Sequence, residues 1–202
     1  MAILLIRHGE TDCNINRIVQ FPETPLGDNG HLQADQLGRA LKSRPIVQII
    51  SSDYQRAKTT AERLAAHVGL DFTPRANLRE RNFGDIRVTP YDDLGEIDIF
   101  TPGYVPPNGE SWEVFNARVD RAWDEVTRCV DGLSGDLAVV THGLVLRSLI
   151  DRVLDVSEYV IEPDVVVANT SVTIVEHEPP WRVVDFAGVG HLEQGSRDGA
   201  AV

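Results

Sequence analysis

Two His-Gly pairs stand in like surroundings in this 202-residue chain. An apolar run at residues 2–6 breaks off at Arg7-His8-Gly9-Glu10-Thr11, and another at 137–140 breaks off at Thr141-His142-Gly143. A buried strand that delivers polar residues into a loop has this pattern. If the two strands are neighbours, both imidazoles converge on one cleft beyond the strands' carboxyl ends, where α/β sheets hold ligands. Histidines and arginines at strand ends suit phosphate. Guanidinium offers a rigid fork that matches phosphate oxygens and keeps its charge. A neutral imidazole can attack phosphorus and divide one hard displacement into two easier ones. Phosphoryl transfer otherwise needs positioning and charge neutralisation, which a metal often supplies and which arginines with a second histidine can supply instead.

The elements around these pairs follow from hydrophobic spacing. Asp28 is read as the cap of a helix to about Lys42, with Leu32, Leu37, Ala40 and Leu41 near one side. Residues 46–50 form a second buried run, and Ser51-Ser52-Asp53 offer caps to the helix after it. That helix carries Ala57, Ala61, Leu64, Ala65 and Val68 at three-to-four spacing and stops at Gly69. Ser111 opens the clearest helix, with Trp112, Phe115, Val119, Ala122, Trp123, Val126 and Cys129 on its apolar stripe and Gly132 beyond its end. A helix with Leu146, Leu149, Ile150 and Val153 follows the second His-Gly pair, and 170–175 and 182–186 read as two further strands. Residues 84–110, rich in Gly, Pro and acids, read as an irregular excursion or lid, and the tail from about 194 as disordered. Alternating strands and helices predict one α/β domain over 1–202. Its expected form is a three-layer α/β/α sandwich with a largely parallel central sheet and helices on both faces.

Charge narrows the partners. Nineteen basic against 31 acidic residues leave a net charge of −12, which opposes nucleic acid and anionic membranes but not a small anionic substrate in a locally positive cleft. Cys13 and Cys129 fit neither a disulfide framework nor a zinc spacing, so both read as free thiols in a reducing cytoplasm. The start MAILLI lacks the basic region and cleavage site of a signal peptide, and no apolar run approaches the ~20 residues of a membrane span. A homodimer stays open.

Arg7-His8-Gly9-Glu10-Thr11 resembles the signature of the histidine phosphatase superfamily, which includes the cofactor-dependent phosphoglycerate mutases. Further blocks agree in family order over about residues 2–192: Asn14 and Gln20; Pro25-Leu26; Ser51-Ser52-Asp53-Tyr54-Gln55-Arg56-Ala57 with Thr60-Ala61-Glu62; Leu78-Arg79-Glu80 with Phe83-Gly84; Asn108-Gly109-Glu110-Ser111; and Val139 to Gly143. The resemblance implies that His8 is the phosphorylated nucleophile. Arg7, Arg56 and His142 would hold the phosphoryl oxygens, assisted by Asn14 and more weakly by Gln20. Glu80 would protonate the leaving alcohol and then activate water. It implies a metal-independent phosphatase acting on a small phosphorylated metabolite, with no cofactor. A mutase or phosphotransferase, and a binding module without turnover, remain as alternatives. His8 and His142 with Glu80 could imitate a two-His-one-carboxylate metal set, but the flanking arginines would repel a divalent cation.

The chain departs from the family where specificity is set. Relatives usually continue from Phe-Gly into Trp-Glu-Gly, whereas here Asp85-Ile86-Arg87-Val88 follow Phe83-Gly84. Residues 84–110 hold six acids (Asp85, Asp92, Asp93, Glu96, Asp98, Glu110) against Arg87 alone. That balance disfavours a bisphosphate and predicts a substrate whose distal part is neutral, apolar or cationic. His31, His67 and His177 read as solvated, Glu10 as structural, and His191 as packing near the site entrance.

Overall fold

The computed structural model describes residues 1–161 and 167–193; the tail read as disordered lies outside the described residues. Strands β1 (Ala2–Arg7), β2 (Ile46–Ser52), β3 (Phe72–Arg75), β4 (Asp136–Thr141), β5 (Val172–Glu176) and β6 (Val183–Gly188) form one sheet in the order β3-β2-β4-β1-β5-β6. The first four are parallel, β5 pairs antiparallel with β1 and β6 antiparallel with β5, so the sheet is mixed, with its parallel part carrying the two His-Gly pairs. Helices α2 (Asp28–Leu41) and α3 (Gln55–Val68) cover one face, and α4 (Trp112–Val130) and α5 (Gly143–Arg152) the other.

The layers follow from alternation along the strands. Ile3, Leu5, Leu137 and Val139 pack with Phe115, Val119, Trp123, Leu146 and Leu149. Leu4, Ile6, Ala138 and Val140 pack with Leu37, Ala57, Ala61 and Leu64. Each large apolar side chain buried this way contributes about 1.5–3 kcal/mol. Because both faces are covered, β1 and β4 read as unbroken apolar runs rather than as alternation.

Some local expectations are corrected. The N-cap of α2 is Gly27, not Asp28, and it makes no side-chain cap bond; a Cβ at Gly27 would lie 2.8 Å from Asp12 Oδ1, so a larger cap does not fit. Tyr54, not residues 51–53, caps α3, again without a side-chain bond. β3 escaped the hydrophobic reading because Phe72-Thr73-Pro74-Arg75 is short, half-exposed and contains a proline tolerated only at an edge. A one-turn helix, α1 (Asp12–Ile15), closes on a capping box between Thr11 and Asn14.

The 84–110 excursion contains two short 3-10 turns, Gly84–Ile86 and Tyr91–Leu94, and it is anchored. Buried Arg81 donates to the carbonyls of Ile99 (3.0 Å), Tyr104 (2.6 Å) and Glu110 (3.1 Å), with its guanidinium 4.1 Å from the Trp112 ring centroid. Gly84 turns with φ +53°, and a Cβ there would meet the Pro107 carbonyl at 1.9 Å, so only glycine lets the two ends of the excursion meet. Asp85 accepts from the Asn108 side-chain amide at 2.8 Å, a further tie between the ends of the excursion.

Candidate active site

The sheet places the site. β1 and β4 pair in parallel with Arg7 opposite Thr141, and the His8 N–H donates to the Thr141 carbonyl at 3.0 Å. The two imidazoles that follow therefore lie side by side, with ring centroids 5.2 Å apart. β2 supplies Ser51 and Ser52 at the same level, and Arg56 rises from the first turn of α3. Arg7, His8, Arg56 and His142 are all buried.

His8 is held in a defined tautomer. Its Nδ1 lies 2.7 Å from the Gly9 carbonyl, an acceptor only, so Nδ1 carries the proton. Nε2 then presents a lone pair and accepts from Arg56 Nε at 3.2 Å. Burial, then the guanidinium groups of Arg56 and Arg7, hold His8 well below the usual imidazole range, so the ring is neutral at pH 7. The same causes, burial first, lower His142. Its Nε2 meets Ser52 Oγ at 2.7 Å, while its buried Nδ1 has no partner among the described residues. The sequence offered Ser52 only as a helix cap; its imidazole partner lies 90 residues away, beyond the reach of any spacing argument.

The arginines are fixed through their outer nitrogens. Arg7 Nη1 donates to the Val167 carbonyl, and its buried Nε has no partner among the described residues. Arg56 Nη1 donates to the Phe21 carbonyl at 3.0 Å. Burial pulls Arg56 down to about 10, which leaves it charged at neutral pH. Asn14 Oδ1 accepts from the Thr11 N–H and hydroxyl, so its amide nitrogen is the group left to donate. Gln20 Oε1 lies 3.1 Å from the same hydroxyl, which has one proton for the two amide oxygens.

Glu80 accepts from the Arg81 N–H at 2.9 Å and the Leu144 N–H at 3.0 Å. Burial raises its carboxyl pKa, against those two N–H groups and the charges of Arg56 and Arg7. Arg118, which the sequence did not single out, pins the carbonyls of Asn77, Arg79 and Glu80 and clasps Glu110 with two nitrogens at 2.7 and 2.9 Å.

Two cavities meet at Glu80. The inner one, about 90 Å³, is lined by Arg7, His8, Asn14, Gln20 and Arg56 and capped by Phe83, Tyr91 and Phe100 from the excursion and its start. The outer one, about 580 Å³, runs past Tyr54, Asn77, Asn82 and Arg87. Of the excursion's six acids only Glu110 lines the outer cavity, where Arg118 neutralises it. The expectation of a neutral, apolar or cationic distal group rested on a count of the excursion's acids, five of which lie outside this lining.

The remaining expectations divide. Glu10 is buried, accepts from Asn29 and faces a separate depression. His31 is not simply solvated, since its Nδ1 is buried, and His67 packs against Gly38 with Asp35 at 3.6 Å. His191 meets Thr170 Oγ1 at 3.2 Å. Burial raises the Cys13 thiol pKa, which disfavours reactivity there. No helix among the described residues is long and apolar enough to cross a membrane, and none of their His, Cys, Asp and Glu clusters is arranged to hold a metal ion.

Comparison with known proteins agrees over nearly the whole length. The family model of the histidine phosphatase superfamily (branch 1) matches residues 3–187. A Salmonella arizonae protein named "Probable phosphoglycerate mutase GpmB" is 32% identical over 98% of both chains. YhfR of Bacillus stearothermophilus superposes with a TM-score of 0.81 at 26% identity, over 95% of this chain and 99% of that one. The alpha-ribazole phosphatase of Shigella flexneri, at 24% identity and a TM-score of 0.76 over 96% of this chain and all of that one, shares the fold.

Proposed function

The chain belongs to the histidine phosphatase superfamily, branch 1, and from that premise we propose that it is a metal-independent phosphomonoesterase acting through a phosphohistidine at His8. The observation that carries this reading is the state of the His8 ring: neutral, its Nδ1 proton committed to the Gly9 carbonyl, its Nε2 lone pair accepting from Arg56, with both residues lining the inner cavity.

The chemistry balances as two displacements. Nε2 of His8 attacks phosphorus, the phosphorus–ester oxygen bond breaks, and protonated Glu80 gives its proton to the departing alkoxide. Water then gives a proton back to Glu80 and attacks the phosphohistidine; the nitrogen–phosphorus bond breaks, releasing phosphate and restoring the neutral ring. Arg7, Arg56, His142 and Asn14 donate to the equatorial oxygens, where preorganised donors act on the charge of the transition state. An alkoxide is a poor leaving group, and a positioned acid accelerates its departure about 10²–10⁴-fold. The raised pKa of Glu80 keeps a protonated fraction available at higher pH than an ordinary carboxyl would.

The mutase reading draws on the GpmB relative. A mutase must seat a second phosphate, and Arg79 and Arg118 in the outer cavity are already paired with Asp53 and Glu110, which favours water as acceptor. In the test, a panel of monoesters is assayed for free phosphate and isomerised product, with EDTA present, alongside acid-labile phosphate labelling. Phosphate release with EDTA, and loss of both turnover and label in His8→Ala, are expected. An active, unlabelled His8→Ala refutes the mechanism, and isomerised product without net phosphate refutes the hydrolase.

A further inference from the structure

From the two-cavity geometry we infer that the leaving alcohol carries one further negative charge, a carboxylate, which Arg87 recognises in the outer cavity. The inference rests on the phosphomonoesterase reading and adds the substrate's class to it. Glu80 is the wall common to both cavities. The acid must touch the scissile oxygen, so that oxygen sits at the junction. The phosphoryl group then occupies the inner space of about 90 Å³, and the rest of the substrate extends into the outer space of about 580 Å³.

The outer wall sorts into matched and unmatched charges. Arg79 holds Asp53 through two nitrogens, and Arg118 holds Glu110 likewise. Glu23 stands exposed at the rim. Arg87 is half-buried, faces the cavity and has no carboxylate partner among the described residues; its one polar contact there is Tyr54 Oη at 3.5 Å. Tyr54 and Asn82 also line the cavity, while the Asn77 amide is engaged by Glu125. A guanidinium fork without a carboxylate in a polar recess is a carboxylate site awaiting its anion. The magnitude of the charge selects the class. The inner cavity is lined by two guanidinium groups and the His8 imidazole, with the His142 ring centroid 5.2 Å from that of His8, so a single fork suits a monoanion and not a second phosphate.

Three phosphate monoesters of the same butyl chain, ending in a carboxylate, a hydroxyl or an ammonium group, test this. The readout is the ratio of kcat/KM values within each protein, which cancels differences in folded fraction. The wild type is expected to prefer the carboxylate ester over the hydroxyl ester by about tenfold or more, the worth of one charge-assisted hydrogen-bonded contact. Arg87→Gln brings that ratio to about one, Arg87→Lys retains part of it, and Arg87→Glu shifts preference toward the ammonium ester. A wild-type ratio near one, or a ratio that Arg87→Gln leaves intact, overturns the inference. p-Nitrophenyl phosphate and acid-labile labelling of the wild type separate the two layers. If both are positive while the ratios are flat, the carboxylate assignment alone is wrong. If both are negative, the phosphatase reading fails and the assignment with it.

Discussion

Ser52→Ala tests how the second imidazole is poised. Ser52 Oγ has two neighbours, the Tyr54 N–H at 3.2 Å and His142 Nε2 at 2.7 Å. The amide can only donate, so it takes an oxygen lone pair, and the hydroxyl proton is free to point at Nε2. His142 is neutral because burial disfavours its cation; when the hydroxyl donates to Nε2, the ring's single proton sits on Nδ1, the buried atom without a partner among the described residues. An arriving phosphate thus meets a donor and not a lone pair. Alanine strands the amide and Nε2, at about 1–3 kcal/mol of stability. It also lets the ring adopt the other tautomer, and losing one preorganised donor costs about 10²–10³ in kcat. The loss should fall on kcat with KM little changed, as expected of a contact made chiefly in the transition state. Ser52→Thr, which keeps the hydroxyl, should recover most of it. The measurements are steady-state kinetics on an alkyl phosphate and calorimetric Tm. A Ser52→Ala enzyme that melts earlier yet turns over within about threefold of wild type would show that the hydroxyl serves packing alone, since the tautomer argument requires about 10²-fold or more.

Three further outcomes are expected. Glu80→Gln should slow alkyl phosphates about 10²–10⁴-fold while sparing p-nitrophenyl phosphate, whose phenolate leaves unaided, and it should abolish the alkaline decline that ionisation of the raised carboxyl imposes; equal losses on both substrates would remove the acid role. The folded-state pKa of His142 lies below the unfolded value of ~6.5, so between those values the unfolded chain binds the extra proton. Its contribution to stability is full above about pH 6.5 and shrinks by about 1.4 kcal/mol per pH unit on acidification toward the lowered value; His142→Asn should flatten the dependence of unfolding free energy on pH by that slope, and an unchanged slope would mean the ring is charged when folded. Arg81→Met should leave three carbonyls unpartnered and release the excursion, read as faster amide exchange across 84–110 with the sheet unaffected; unchanged exchange there would show that its aromatic packing suffices.

How far the sequence reached is set by the range of the interactions. His8 and His142 were legible because a polar pair after an apolar run marks where a buried strand surfaces, and the run itself records burial on both faces. Pairing brought the two histidines within one ring contact, although 134 positions separate them in the chain. Ser52, Arg118 and Arg81 act through backbone carbonyls or partners far along the chain, so no local pattern announces them. The excursion's six acids are legible as a count but not as a wall, because a side chain's sign is in the sequence and the direction it faces is not. The direction of the Glu80 shift likewise depends on burial set against two N–H groups and two guanidinium charges that only the fold brings together.

The contact from Arg56 Nε to His8 Nε2 bears on chemical selectivity. In the resting protein the reactive lone pair is already occupied, so an uncharged alkylating or acylating reagent that wanders in finds no free nucleophile. On the phosphohistidine reading, an oxyanion that competed for the same guanidinium would draw it away and unmask that lone pair. Discrimination between phosphate esters and neutral electrophiles would then begin at a single N–H, ahead of any fit to the leaving group.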